Sequence, residues 1–357
     1  MQMLTYKSAQ QSFEGLKAPL RKFANSDVVC EGWYAVGRSA DFARGAVKKI
    51  SVGKRTLVLY RALSGTMHAV ESACAHLGAD LAQGTVVEKG LQCVFHRWCW
   101  GEDGNCTAGG GVSENRSIRT YTVRERWGIA WAWIGESPRY ELPEPTAANS
   151  RHALCLRERR IDCHPHVILG NGLDFTHIVP VHGFQLLDDP TVEIEAPHRL
   201  TVGIHTRFKS SVMRKLLFLS GSAARWRFTT IGPSLAWLSV QEPTPFELVW
   251  AGRPLPDGSS AMQTVFFLPS RSAFVRALPM MIATTWKDKS VLEGLRFREG
   301  FVVSDAVFYL YAQLIEKLPE WNPDNHSQRI VQKRDDAQEK SVIEPPTHAT
   351  LEEAQVR

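Results

Sequence analysis

Nothing in this chain approaches a run of about 18 apolar residues, so no membrane-spanning helix is expected. The N-terminus, MQMLTYKSAQQSFEGLK, lacks the apolar core of a signal peptide, which predicts a soluble, cytoplasmic protein. A dense Lys/Arg tract interleaved with aromatics is also missing and the net charge is only +5, so nucleic acid is not an expected partner. Cysteines are few, seven, odd in number and scattered, which argues against a disulfide framework and leaves metal binding as the better use of any that cluster. No Gly-x-Gly-x-x-Gly follows a strand pattern, so no flavin or nicotinamide site is expected. What remains is ordinary globular material: 357 residues, 44% hydrophobic and 22% charged, enough for more than one buried core.

The pattern along the chain predicts an α+β protein in five parts. Residues 1–30 read as an N-terminal arm. Residues 31–136 hold short alternating stretches, such as 55–63 and 128–135, punctuated by Gly and Asn, and read as a small all-β domain. Pro138, Pro143 and Pro145 mark 137–149 as a linker. Residues 150–321 mix strands (191–196, 200–208, 234–241) with a helical pattern over 305–321. The remainder, 322–357, is a polar tail. Large apolar groups crowd the 150–321 segment, among them Phe208, Phe218, Trp226, Phe228, Trp237 and Trp250, followed by Phe266, Phe267, Met280, Met281 and Trp286. Most must be core, and a few should line a pocket for a bulky hydrophobic small molecule.

Two motifs carry chemistry. The first is Cys74-Ala-His76, then sixteen residues, then Cys93-Val-Phe-His96. Each loop offers a thiolate and an imidazole, a donor set suited to iron or zinc. A structural zinc finger groups its cysteines together and its histidines together. The interleaved order here instead suits a Rieske [2Fe–2S] centre, with two thiolates on one iron and two imidazoles on the other. A zinc-stapled binding protein stays open as a further reading, and it predicts a colourless preparation. Gly78 and Gly84 are expected to turn the loops, Trp98 to shield the centre, and Cys99 to be packing.

The second motif runs Asn171-Gly-Leu-Asp174-Phe-Thr-His177-Ile-Val-Pro-Val-His182. Asp174 and His177, three apart, share a helix face. Pro180 is expected to break or kink that helix, and His182 to come from the distorted turn that follows, aimed back at the same point. Two histidines and a carboxylate form the facial triad of Fe(II) oxygenases. Alone the spacing is weak; it gains weight from following the first motif by about eighty residues.

The two motifs in this order, with GWYAVG at 32–37 and GIAWAWIGE at 128–136, closely resemble the α subunit of Rieske non-haem iron oxygenases over about residues 27–321. The likeness is to the α-only group, which includes sterol-ring and ketosteroid oxygenases, sterol 7-desaturases, dicamba monooxygenase and aminopyrrolnitrin oxygenase. The resemblance implies an all-β Rieske domain followed by a helix-grip catalytic domain. It implies a cluster on Cys74, His76, Cys93 and His96, and a mononuclear Fe(II) on His177, His182 and a later carboxylate. Asp288, in WKDKSVLE, matches the ligand segment; Asp305 is the runner-up and otherwise an N-cap. Asp174 matches an aspartate that bridges His177 to His96 of a neighbouring subunit in a head-to-tail homotrimer, and Asn171 matches a polar residue near the iron. Ala79 and Phe95 stand where respiratory Rieske proteins have a disulfide, so that bridge is impossible here. Val94 and Arg97 depart from the usual Pro and Gly, and a cation at 97 should raise the cluster potential.

The implied activity is O₂-dependent monooxygenation, hydroxylation or oxidative demethylation, of a hydrophobic small molecule, with electrons from a separate ferredoxin or reductase. Arg97 and the basic stretch Arg157, Arg159 and Arg160 are a candidate dock for an acidic ferredoxin. Desaturation or amine N-oxygenation is the alternative within the family. A Rieske electron-transfer protein without catalysis is the alternative of another class.

Overall fold

A computed structural model describes residues 2–13, 18–108, 116–146, 152–195, 197–208, 223–241, 245–270, 272 and 288–322. Phe218, Met280, Met281, Trp286 and the tail beyond 322 lie outside the described residues. Residues 1–320 form one compact unit and 321–357 a second, of which Trp321 and Asn322 are described.

A ten-stranded antiparallel sheet dominates the first unit. Its order is Gln2–Thr5, Thr191–Glu195, Arg199–Phe208, Ala224–Ile231, Leu235–Val240, Phe246–Pro254, Ser260–Leu268 and His152–Cys155. Arg159–Ile161 also pairs with Ser260–Leu268, and Phe184–Leu186 with Arg199–Phe208. The central strands bury both faces, because side chains alternate across a strand and each side meets a different core. Phe246, Leu248, Met262 and Phe266 belong to one core, and Val249, Ala251, Val265 and Phe267 to another on the far side.

The far-side core joins the sheet to a small β domain. Here Trp33, Trp131 and Trp133 pack on Trp237 and Phe267. Trp127 reaches both, edge-on, at 5.5 and 5.6 Å, and each such pair contributes about 0.5–1.5 kcal/mol beyond its buried area. Polar contacts sew the same seam. The Arg253 guanidinium donates to the Ser51 carbonyl at 2.7 Å, and the Gly53 N–H donates to the Pro254 carbonyl at 2.8 Å. The small domain itself holds three antiparallel sheets, of four, three and four strands, and the one made from Thr85–Val87, Gly90–Gln92, Cys99–Trp100 and Cys106–Ala108 carries the second Cys-His loop. The proline-bearing stretch after it is packed rather than free: Leu142 is buried, and the Trp33 indole N–H donates to the Tyr140 carbonyl at 2.8 Å.

The helical pattern within 305–321, expected to end near Pro319, forms a helix over Ala306–Lys317. Pro319 disfavours helical backbone at Leu318, which is extended at φ −66°, ψ 142°. The N-terminal segment finishes that helix: Lys22 donates its ammonium to the Glu316 and Leu318 carbonyls at 2.9 and 2.6 Å, where the helix dipole favours a cation. Gln2–Thr5 adds an edge strand to the large sheet, so residues from the 1–30 segment are built into the core fold.

Candidate metal centres and substrate cavity

The two Cys-His loops have the same backbone construction. Cys74 N–H bonds the Ala79 carbonyl and Gly78 N–H the Cys74 carbonyl; Cys93 N–H bonds the Trp98 carbonyl and Arg97 N–H the Cys93 carbonyl. Each turn closes on a residue with left-handed backbone, Gly78 at φ +78° and Arg97 at φ +61°. Glycine adopts this conformation freely, whereas arginine does so at a cost of about 1–2 kcal/mol. Gly84 has a different reason from the expected turn. Its φ is −72°, but a Cβ there would lie 2.5 Å from the Gln92 carbonyl oxygen, so it is glycine for close approach.

Cys74 and Cys93 are buried free thiols, and the His76 and His96 rings lie 4.5 Å apart. Burial pushes the Cys74 thiol above its ordinary range, and the Cys93 thiol beside it adds to the effect. The His76 Nδ1 is buried with no partner among the described residues. Two thiols and two imidazoles from paired loops, one ring nitrogen orphaned, fit a Rieske centre in donor type and number. Trp98, 5% exposed, stacks on His76 at 4.4 Å and 6°, and Arg116 lies over Trp98 while donating to the Ala75 carbonyl. The outer edge is different: His96 is exposed among exposed Leu77, Val94 and Phe95.

The second site begins with a helix Pro165–Gly170 and a turn Asn171–Leu173, pinned by two glycines. A Cβ on Gly170 would meet Phe308 at 2.2 Å and one on Gly172 would meet Phe228 at 2.4 Å. Asp174 then caps the short helix Phe175–His177, accepting from the Thr176 backbone N–H at 2.9 Å and hydroxyl at 2.5 Å. Pro180 distorts the helical path, the kinked form of the expectation, rather than ending it. Ile178–His182 continues as a π-helical turn, whose wider pitch tolerates the missing N–H and brings His182 round to His177, with ring centroids 5.1 Å apart.

Asp288, in a helical turn at 288–292, faces both histidines: its Oδ1 lies 2.9 Å from His182 Nε2 and 4.0 Å from His177 Nε2. The three donor atoms lie within 4.8 Å of one another. Neighbouring ligands of a first-row ion with bonds near 2.1 Å stand about 3 Å apart, so small movements would seat an ion. His177 Nδ1, His182 Nδ1 and Asp288 Oδ1 are buried without a hydrogen-bond partner among the described residues. Asp174 Oδ2 lies 3.6 Å from His177 Nδ1. Burial works to raise the Asp174 carboxyl, but His177 and Thr176 outweigh it and hold it below its ordinary value. The Asn171 amide is 3.4 Å from His177 Nε2. Asp305 is not in the triad group; it accepts from the Val302 N–H at 3.0 Å ahead of the Ala306–Lys317 helix.

His177, His182 and Asp288 line a cavity of about 450 Å³. Its walls are mainly apolar, led by Phe184, Trp226, Phe228, Leu248, Trp250 and Phe266. Arg157 and Arg159, read from the sequence as part of a docking patch, line this cavity, whereas Arg160 forms an ion pair with Asp257. The long-range pairing of Arg159–Ile161 with Ser260–Leu268 puts them there, and local sequence carries no trace of it.

Residues 32–122 match the family model of the Rieske [2Fe-2S] domain. The chain carries a Rieske domain. Among curated proteins it is 33% identical over 165 residues to the cholesterol 7-desaturase nvd of Bombyx mori, covering 44% of this chain and 36% of that protein. It is 26% identical over 193 residues to the aminopyrrolnitrin oxygenase PrnD of Pseudomonas fluorescens (48% and 50%). It is 29% identical over 120 residues to the oxygenase component of 3-ketosteroid-9-alpha-monooxygenase of Rhodococcus rhodochrous (32% of each). The chain thus matches half or less of the length of these relatives. Among solved structures it resembles dicamba monooxygenase bound to dicamba, with TM-score 0.60, 18% identity, 83% of this chain and 98% of that one. NdmA of Pseudomonas putida CBB5 with caffeine matches at TM-score 0.65, 19% identity, 80% and 89%. The α+β fold, with the Rieske domain and the large antiparallel sheet, is therefore shared with these structures over 80–83% of this chain.

Proposed function

We propose that this chain is the terminal oxygenase of a Rieske non-haem iron system, catalysing O₂-dependent monooxygenation of a bulky hydrophobic small molecule. The observation that carries the reading is the convergence of His177, His182 and Asp288, with orphaned buried ring and carboxylate atoms, on the wall of an apolar cavity. Residues 31–136 form the Rieske domain and 150–321 the catalytic domain. Cys74, His76, Cys93 and His96 would hold the cluster, and His177, His182 and Asp288, which line the cavity, would hold the mononuclear Fe(II). When bound, the cluster supplies electrons and the mononuclear iron supplies the site at which O₂ is reduced.

The chain's own residues prepare that chemistry. The Asp174 carboxylate, 3.6 Å from His177 Nδ1, favours an orientation of the ring in which Nε2 points inward. Asn171 offers a polar contact beside the same Nε2. The apolar walls exclude water and leave the substrate body as the group nearest the triad. Electrons come from a separate ferredoxin or reductase. We infer a head-to-tail homotrimer in which His96 of one copy meets Asp174 of the next. Support comes from the exposed apolar rim around His96 (Leu77, Val94, Phe95) and from the partial exposure of Asp174, with 24% of its side chain accessible.

The test is a single turnover. Protein loaded with Fe(II) is reduced, freed of reductant, and mixed with ¹⁸O₂ and a panel of bulky apolar compounds. Incorporation of one labelled atom into a product, abolished in His182→Ala, is expected. Cluster reoxidation at one rate in wild type and His182→Ala, with no label in any compound, would make the chain an electron carrier.

A further inference from the structure

The cavity is apolar along its walls but cationic at one side. Directly opposed residues of paired antiparallel strands share a face. Arg159 stands opposite Met262, whose face continues through Thr264 and Phe266, all lining the cavity. Arg160, one residue on, points the other way to Asp257, so its charge is compensated. Arg159 has no acidic partner among the described residues. Arg157 also lines the cavity, though it lies within the field of Asp41. The segment is anchored by the Leu156 N–H, which donates to the Thr264 carbonyl at 2.9 Å. Lys289 adds a third cation, shared with Glu293 at 3.9 Å. Against these, Asp288 is the one acid among the lining residues, and a bound divalent ion would more than neutralise it.

Arg157 and Arg159 are exposed residues at the rim of the cavity, where a guanidinium can still grip a carboxylate or sulfonate with two parallel bonds while the apolar body of the ligand lies against the walls. We propose that the ligand of this cavity is a bulky apolar molecule bearing one anionic group, with Arg159 as the residue that selects the charge and Arg157 in support. Calling that ligand a substrate rests on the oxygenase reading; the charge selection itself does not.

The two are separated by a binding experiment on the purified full-length protein that needs no turnover. The neutral fluorophore N-phenyl-1-naphthylamine reports occupancy, and it is displaced by 1-naphthaleneacetate or by 1-naphthaleneacetamide, which share one apolar body and differ in charge. The acetate should displace the dye at about a tenfold lower concentration than the amide, as a charge-assisted contact implies. Arg159→Gln should erase that preference while leaving dye binding unchanged, and Arg159→Lys should restore part of it. Equal potency of the two competitors in wild type, failure of the acetate to displace the dye, or an undiminished preference in Arg159→Gln would overturn the proposal. An intact preference in a protein that incorporates no oxygen would sink the enzyme reading alone. Oxygen incorporation into neutral compounds, without any preference, would sink this proposal alone.

Discussion

His164 and His166 make the stability of this protein acid-sensitive in a calculable way. Both rings are buried at the start of the Pro165–Gly170 helix, 4.6 Å apart. His164 Nδ1 accepts the His166 backbone N–H at 3.2 Å as the helix cap, and His166 Nδ1 accepts the Ala24 N–H at 3.2 Å. Burial pushes His164 down to about 3, and burial together with the neighbouring His164 holds His166 well below the ordinary range. Unfolded, each titrates near 6.5. Between those values the unfolded chain binds protons that the folded one refuses, so stability is full above about pH 7 and falls as pH drops below 6.5. From pH 7 to 5 the loss is about 2 kcal/mol for His164, and His166 adds to it in the same direction. Urea midpoints measured at half-unit steps would show it. His164→Asn keeps a capping oxygen, so it should lower stability by a constant amount while removing one proton from the slope, a gain of about 2 kcal/mol at pH 5 relative to wild type after that offset. A variant whose curve parallels wild type from pH 7 to 5 would refute the reasoning.

Arg97→Gly removes both a left-handed arginine and a cation next to His96; the fold should gain up to about 1 kcal/mol, because strain relief exceeds the added entropy of glycine. The cluster midpoint should move negative by about 40 mV if the charge contributes about 1 kcal/mol, and a potentiometric titration showing an unchanged or more positive midpoint would contradict this. Gly172→Ala drives a Cβ to 2.4 Å from Phe228 and must displace the turn that leads into Asp174 and His177. Thermal stability should drop by about 1–3 kcal/mol and Fe(II) retention on dialysis should weaken, so a variant with unchanged melting and iron retention would show the turn has room to spare.

Several strands were legible: 55–63, 128–135 and 200–208 alternate or are rich in β-branched and aromatic residues, and strands form at Arg55–Arg61, Ile129–Ile134 and Arg199–Phe208. Phe246–Pro254 and Ser260–Leu268 were not read as strands; both are buried on both faces, and a continuous apolar run carries no period-2 signal. The Cys-His loops and the 174–182 stretch were legible as local spacing. The π-helical turn was not, since its cause lies in how Pro180 is accommodated against the surrounding fold. Asp288, over a hundred residues downstream, was reachable by resemblance only. The cavity position of Arg159 depends on strand register with Met262, a contact no local pattern encodes.

The central claim is that one chain holds a Rieske cluster and a separate mononuclear iron. Anaerobic purification followed by iron and acid-labile sulfide counts, with EPR of the dithionite-reduced protein, tests it most directly when Asp288→Ala is measured alongside. About three irons and two sulfides per wild-type chain are expected, and two of each in Asp288→Ala with the Rieske signal unchanged. Two irons and two sulfides in both proteins, even after incubation with Fe(II), would contradict it.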